Sequence, residues 1–133
     1  MTKPSTAGAC PCGGAHYAQC CGRFHQGEPV GTAEQLMRSR YSAYALGLMD
    51  YVYRTWHPST RPAPGELDTD GAVKWLGLDV KRVHAQSTDE ATVEFVARYR
   101  ENGGRARRLH EISRFVRENG QWFYMDGSFP ETK

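Results

Sequence analysis

Every cysteine of this chain falls within one twelve-residue span: Cys10 and Cys12, then Cys20 and Cys21 after seven intervening residues. Four thiols placed so close together either converge on one point or stand as reactive groups. Convergence on zinc fits the chemistry, because Zn²⁺ takes four ligands in a tetrahedron and accepts thiolates readily. Pro11 can kink the Cys10–Cys12 pair so that both sulfurs turn inward. Gly13 and Gly14 let the backbone double back without Cβ clashes, and a turn or helix at Cys20–Cys21 supplies the remaining two ligands. Arg23 and nearby backbone N–H groups are placed to offset the net charge of such a centre. His16 lies between the pairs and His25 just beyond them, so either histidine could replace one cysteine. A full thiolate set leaves no position open for water, which points to a structural site rather than a catalytic one. The competing readings are weaker in chemistry: a Cys20–Cys21 disulfide is strained, and the Cys-x-x-Cys spacing of a redox pair is absent.

The rest of the chain is an ordinary soluble mixture. Its 133 residues suffice for one domain and a small appendage. No apolar run approaches the roughly 18 residues that span a bilayer, and the opening Met1-Thr2-Lys3-Pro4-Ser5 carries no apolar stretch of a secretory signal. A cytoplasmic location is therefore expected, and clustered cysteines in a reducing compartment favour a metal. Net charge is only +2, so the whole protein is not an electrostatic nucleic-acid binder. Residues 98–117 nevertheless hold seven arginines against Glu101 and Glu111. They form either one solvated sheet face or a patch for an anionic partner, with nucleic acid the less expected of the two.

Hydrophobic periodicity sets the order of elements. Residues 1–9 are small and polar and read as a flexible tail. The cysteine segment spans 10–25, and Gln26-Gly27-Glu28-Pro29-Val30-Gly31 reads as a join. Thr32 with Gln35 fits a capping box, and Leu36, Met37, Tyr41, Tyr44, Ala45 and Leu48 follow at helical spacing. Gly47 is placed to end that helix. A second short helix covers Met49 to Thr55, stopped by Pro58. A third, over residues 67–76, places Val73 and Leu76 inward. From Leu78 the period changes to two: Val80, Arg82 and His84 on one face of an edge strand, then strands over 91–101, 106–117 and 121–126. Asn102-Gly103 and Asn119-Gly120 sit where type I′ hairpin turns belong. Helices followed by an antiparallel meander make an α+β domain over residues 32–128.

Cys10-Pro11-Cys12-Gly13-Gly14 followed by Tyr17-Ala18-Gln19-Cys20-Cys21-Gly22 resembles the SEC-C motif, named for the zinc-binding tail of the SecA translocase ATPase. Gly14 stands where serine is usual, and the loop between cysteine pairs is one residue short. The resemblance continues through Leu36-Met37-Arg38-Ser39-Arg40-Tyr41-Ser42-Ala43-Tyr44, Thr55-Trp56-His57-Pro58-Ser59, Trp75-Leu76-Gly77-Leu78 and His110-Glu111 to Asp126-Gly127. Over that whole length the chain is similar to the YchJ family. The family resemblance implies a cone like that of nuclear transport factor 2, with helices packed into a curved antiparallel sheet. It implies no activity, because this fold carries isomerases, dehydratases and binding modules alike.

For such a cone, Tyr41, Tyr44, Trp56, His57, Glu111, Arg114 and Tyr124 are the candidate pocket residues, with Asp50, Arg98 and His110 behind them. Glu111, Ser113 and Phe115 share one face of their strand, and His110, Ile112 and Arg114 the other, so only one set can face a pocket. Arg38 and Arg40 could instead pair with Glu111 or Asp126, and aromatics at these spacings are often plain core. The expected role is a zinc-binding adaptor that recognises a protein or ribosome-associated partner through its knuckle. The alternative is a small-molecule isomerase or hydrolase with His57 or Glu111 as acid/base. No nucleophile elbow, phosphate loop or HExxH motif is present. A homodimer through the outer sheet face is a reasonable expectation.

Overall fold

Thr32 starts the long helix as its sequence predicts. The hydroxyl oxygen accepts from the Gln35 N–H at 3.1 Å, while Gln35 Oε1 reaches back to the Gly31 N–H at 2.7 Å. At the other end Gly47 takes φ 77°, and the Leu48 N–H bonds the Ala43 carbonyl at 2.8 Å, which closes a Schellman motif. The computed structural model describes residues 9–63 and 73–130. In chain order it contains a 3₁₀ turn, Tyr17–Gln19, then α1 Cys21–His25, α2 Ala33–Leu46 and α3 Met49–Arg54. Four strands follow: β1 Val73–Ser87, β2 Glu90–Glu101, β3 Ala106–Glu118 and β4 Gln121–Ser128. Residues 1–8 of the expected tail and residues 67–72 of the expected third helix lie outside the described residues.

The strands form one antiparallel meander in the order β1-β2-β3-β4. Asn119 and Gly120 take φ 54° and 77° between Glu118 and its partner Gln121, the tight hairpin the sequence announced. Asn102 and Gly103 turn the same way, but Arg100 pairs with Ala106, so that hairpin carries a longer loop. Beyond β4 the chain gains a short parallel bridge. The His57 N–H donates to the Tyr124 carbonyl at 2.8 Å and the Tyr124 N–H to Thr55 at 2.9 Å, so the segment after α3 covers the β4 edge.

Two sequence expectations fail in β1. Val73–Leu76 are strand, not the end of a helix. A register shift between Trp75 and Gly77 makes Trp75 and Leu78 the partners of Tyr99 and Ala97, on the cone side of β2. A second shift, between Val80 and Arg82, puts Val80 with Val83 rather than with Arg82 and His84. Each bulge changes the inward spacing from two to three.

The centre of α2 is buried almost all round. Leu36, Met37 and Tyr41 belong to one apolar cluster with Val93, Phe95, Ala97, Phe115 and Trp122 of the sheet. The same cluster includes Cys10, Cys12, Tyr17 and Cys21, so the cysteine segment and the cone share a core. The far side of α2 is small: Ser39, Ser42 and Ala43 are fully buried against α3 and the knuckle. Ser39 Oγ donates to the Leu36 carbonyl at 2.8 Å and lies 2.7 Å from the Tyr51 hydroxyl.

His25 fastens the knuckle to α2. Its Nε2 lies 2.8 Å from the Ser39 carbonyl, which can only accept, so Nε2 carries the proton and Nδ1 accepts from the Tyr17 hydroxyl at 2.6 Å. Burial holds its pKa below the ordinary 6.5. The folded chain keeps His25 neutral where the unfolded chain would protonate it. Its share of stability is therefore complete above about pH 6.5 and is lost as pH falls below that value. Between about one pH unit above and one below, the urea midpoint of the wild type is expected to fall further than that of His25→Gln. Acid effects on the cysteines are common to both proteins and cancel in the difference; equal falls would remove this role.

Candidate metal centre and cone pocket

A tight turn opens the metal centre. The Gly13 N–H donates to the Cys10 carbonyl at 2.9 Å, with Gly13 at φ 108°, and the Cys10 N–H donates to Gly14 at 3.0 Å. Cys20 ends the 3₁₀ turn and Cys21 begins α1, so the second pair straddles a helix start. One sulfur from each of Cys10, Cys12, Cys20 and Cys21 lies within 4.8 Å of the others, and Cys12 Sγ and Cys20 Sγ are 3.6 Å apart. A tetrahedron with metal–sulfur bonds of about 2.3 Å has edges of about 3.8 Å, so the donor set fits a thiolate-loving divalent ion.

The surroundings fit as well. A Cβ at Gly14 would stand 2.7 Å from Cys20 Sγ, so the usual serine of the motif has no room beside this shortened loop. The Ser42 hydroxyl approaches Cys10 Sγ at 3.4 Å. Arg38 joins Arg23 at the cysteine segment: its Nη1 donates to the Cys12 carbonyl at 3.1 Å, while its Nε pairs with Glu34. Arg23 donates from Nε to the Cys20 carbonyl at 3.3 Å and pairs with Glu28 through Nη1. Contacts with Cys12 and Cys21 hold the Cys10 thiol far below its ordinary pKa, and the reciprocal contacts push Cys21 far above. Burial and then Cys12 push Cys20 up to about 11. Four such thiols ionise together only around a cation. Both histidine substitutes fall away among the described residues: His16 is exposed and outside the sulfur group, and both ring nitrogens of His25 are engaged elsewhere.

The second feature is a cavity of about 290 Å³ between α2 and the concave face of the sheet. Its walls are aromatic: Tyr41, Tyr44, Trp56, Trp75, Phe95 and Phe115 line it. Trp75 packs against Tyr41, Tyr44 and Tyr99 at centroid distances of 5.7, 6.2 and 5.5 Å. The polar groups are Arg40, Glu111, Ser113 and Tyr124. Glu111 Oε2 accepts from the Ser113 hydroxyl at 2.8 Å and from the Tyr124 hydroxyl at 3.0 Å. Burial and the adjacent Glu111 push the Tyr124 phenol well above its ordinary pKa. Arg40 is only 6% exposed. Its Nη1 donates to the Val52 carbonyl and to Thr55 Oγ1, both at 2.8 Å, which ties α2 to the end of α3. The guanidinium lies 4.4 Å from the Tyr124 centroid and 5.2 Å from that of Trp56, and burial pulls its pKa below the usual arginine value.

Of the expected pocket residues, Tyr41, Tyr44, Trp56, Glu111 and Tyr124 converge here, whereas His57 and Arg114 do not. Strand alternation turns Arg114 to the outer face, where it forms a two-point pair with Asp126 at 2.8 Å. His57 sits past the end of α3, 2.9 Å from Glu118 Oε2 and 2.8 Å from Ser59 Oγ. Asp50 is exposed on α3, and His110 pairs with Glu94 at 2.7 Å on the outer face. The arginine-rich strands are divided. Arg117 pairs with Asp89, while Arg98 folds over Gly77 and stands opposite Arg108 in the ladder. Sequence reasoning missed Arg40 as a pocket group, although Met37, Arg40, Tyr41 and Tyr44 lie on one helical stripe.

Comparison with known proteins covers both features. A family model described as "YchJ, middle NTF2-like domain" matches residues 32–127. A UPF0225 protein of Chromobacterium violaceum is 56% identical over 131 residues, covering 95% of this chain and 96% of that protein. Another, from Ralstonia nicotianae, is 57% identical over 139 residues, covering 96% and 95%. The solution structure of a SEC-C motif containing protein from Rhodopseudomonas palustris superposes with a TM-score of 0.80 at 34% identity, over 92% of this chain and 99% of that one. The α+β cone and the cysteine cluster agree with these likenesses. Among the described residues no helix is long and apolar enough to cross a membrane.

Proposed function

This chain belongs to the YchJ (UPF0225) family, and on that footing we propose that it is a zinc-stapled binding protein whose cone receives a small organic molecule. Zinc is the ion that four thiolates at this spacing suit best. Its part is structural: it would hold the knuckle closed against α2 and supply no reactive position. The observation that carries the binding reading is the cavity itself, apolar-walled, with a few convergent polar groups, at the size of a small-ligand site. An adaptor role through the knuckle is the second reading: Cys10, Cys12, Tyr17 and Cys21 turn into the common core, while Gly13, Ala15, His16, Ala18 and Gln19 remain exposed. Catalysis by His57 loses its basis with that residue outside the cavity, and Glu111 is already held by two donors on one oxygen.

Ala97 is fully buried in the cavity wall, so Ala97→Phe should fill the space. Small aromatic compounds that shift amide resonances of the wild type in an NMR fragment screen are expected to lose that effect in the variant. Shifts of equal size in both proteins, or none in the wild type, would count against the cone as a binding site.

A further inference from the structure

The cone holds a positive charge with no direct ion-pair partner; Glu111 of the same cavity acts on it only through space. Arg40 is buried, its two hydrogen bonds to protein both leave from Nη1, and no described carboxylate lies within ion-pair distance. Its other N–H groups have no acceptor among the described residues, and the residue lines the cavity. Asp126, which the sequence offered as a partner for Arg40, is taken by Arg114 on the far face. The remaining Arg40 N–H groups open onto the cavity, and the planar fork of the guanidinium matches a carboxylate that enters it.

Glu111 sets the opposite requirement. It is the carboxylate of the cavity wall, and two neighbours donate to the same oxygen. A carboxylate accepts at several lone-pair positions on two oxygens, so it retains acceptor capacity for a ligand O–H or N–H. Its negative charge also disfavours a dianion in so small a space. The remaining wall consists of rings, from Tyr44 and Trp75 on one side to Trp56 and Phe115 on the other. The volume, about 290 Å³, equals about ten waters at ~30 Å³ each, which suits a ligand of about ten non-hydrogen atoms.

We infer that the cone binds a planar aromatic monocarboxylate bearing a hydroxyl or amino donor, with the carboxylate on Arg40, the ring between the aromatic walls and the donor on Glu111. This inference rests on the reading of the cone as a binding site.

The test is calorimetric titration of the full chain, with its metal, against three probes of one shape: para-hydroxybenzoate, para-hydroxybenzamide and benzoate. Para-hydroxybenzoate is expected to bind at one site per chain. The neutral amide should bind at least about tenfold more weakly, having lost the charge-assisted fork, and benzoate about threefold to tenfold more weakly, having lost the donor. Arg40→Gln should erase the preference for the acid over the amide. Because Arg40 also anchors α3, Glu111→Gln serves as a second variant and should erase the preference for para-hydroxybenzoate over benzoate. If the amide binds as tightly as the acid in the wild type, the anion requirement is wrong while the cone remains a binding site. If no probe binds, or all bind equally well to Ala97→Phe, the cone reading falls and this inference falls with it.

Discussion

Replacement of Cys21 by serine is expected to empty the metal centre and to loosen α2 along with the knuckle. Cys21 is 1% exposed and its sulfur stands within 4.8 Å of the other three. With three thiolates the tetrahedron is incomplete, and the buried serine hydroxyl adds a polar group that lacks the metal. Structural zinc contributes about 10 kcal/mol or more to isolated zinc-finger peptides at neutral pH. Whole domains have a stability of only about 5–15 kcal/mol. Here the cone has a sheet of its own, so a part of the fold survives, but the apolar cluster is common to both. Leu36 and Met37 pack in the cluster that includes Cys10, Cys12 and Tyr17, so opening the knuckle uncovers one side of α2.

The expected result is metal content below about a tenth of an ion per chain by elemental mass spectrometry, together with a loss of at least about 3 kcal/mol in urea unfolding. A strong chelator acting on the wild type should reproduce the loss, and added zinc should reverse it. A metal-free Cys21→Ser chain within about 1 kcal/mol of wild type would show that the knuckle does not support the cone.

How much of this was legible in the sequence follows from how local each signal is. Thr32, Gln35 and Gly47 mark α2 correctly, because a cap depends on a few neighbouring backbone groups. Asn119-Gly120 marks its hairpin for the same reason. The start of β1 reads as helix from Val73 and Leu76, three residues apart, yet both lie in a strand whose bulges after Trp75 and Val80 break the period of two. A spacing of three imitates a helix, and only the partner strand reveals the register. In the site, residue type suggested His57 and Arg114, but chemistry alone does not say which way a side chain points. Arg114 was excluded from the cavity by its place on the opposite face from Glu111 and Ser113, an alternation visible in the sequence. Arg40 was hidden because a charged residue in the middle of an apolar stripe is normally at the surface, and its burial depends on the α3 end that receives its hydrogen bonds. The sulfur cluster and Arg23 beside it were readable in composition and spacing, whereas the reach of Arg38 from α2 to the Cys12 carbonyl was not.

The second large effect is expected at a residue without a side chain. Gly127 of β4 pairs with Ser113 of β3, and the Glu111 carboxylate lies across the space where its Cβ would stand. The same Cβ would come within 3.0 Å of the Tyr124 hydroxyl. Gly127 is not among the positive-φ glycines, so the backbone itself accepts alanine. The conflict is one of space alone. Glu111 cannot yield easily, since it is 8% exposed and held by Ser113 and Tyr124. Moving it breaks both hydrogen bonds and leaves the Tyr124 hydroxyl without its partner inside an apolar cone. Gly127→Ala should therefore cost about 2–4 kcal/mol, from overpacking together with the lost hydrogen bonds. Gly31→Ala is the control, because its Cβ would meet only Gln35 Oε1 at 3.4 Å. It should stay within about 0.5 kcal/mol of wild type. A double-mutant cycle identifies the cause. In a Glu111→Ala background the methyl group has room, and the cost of Gly127→Ala should shrink by at least about half. An undiminished cost there would place the damage in β4 itself rather than in the Glu111 cradle.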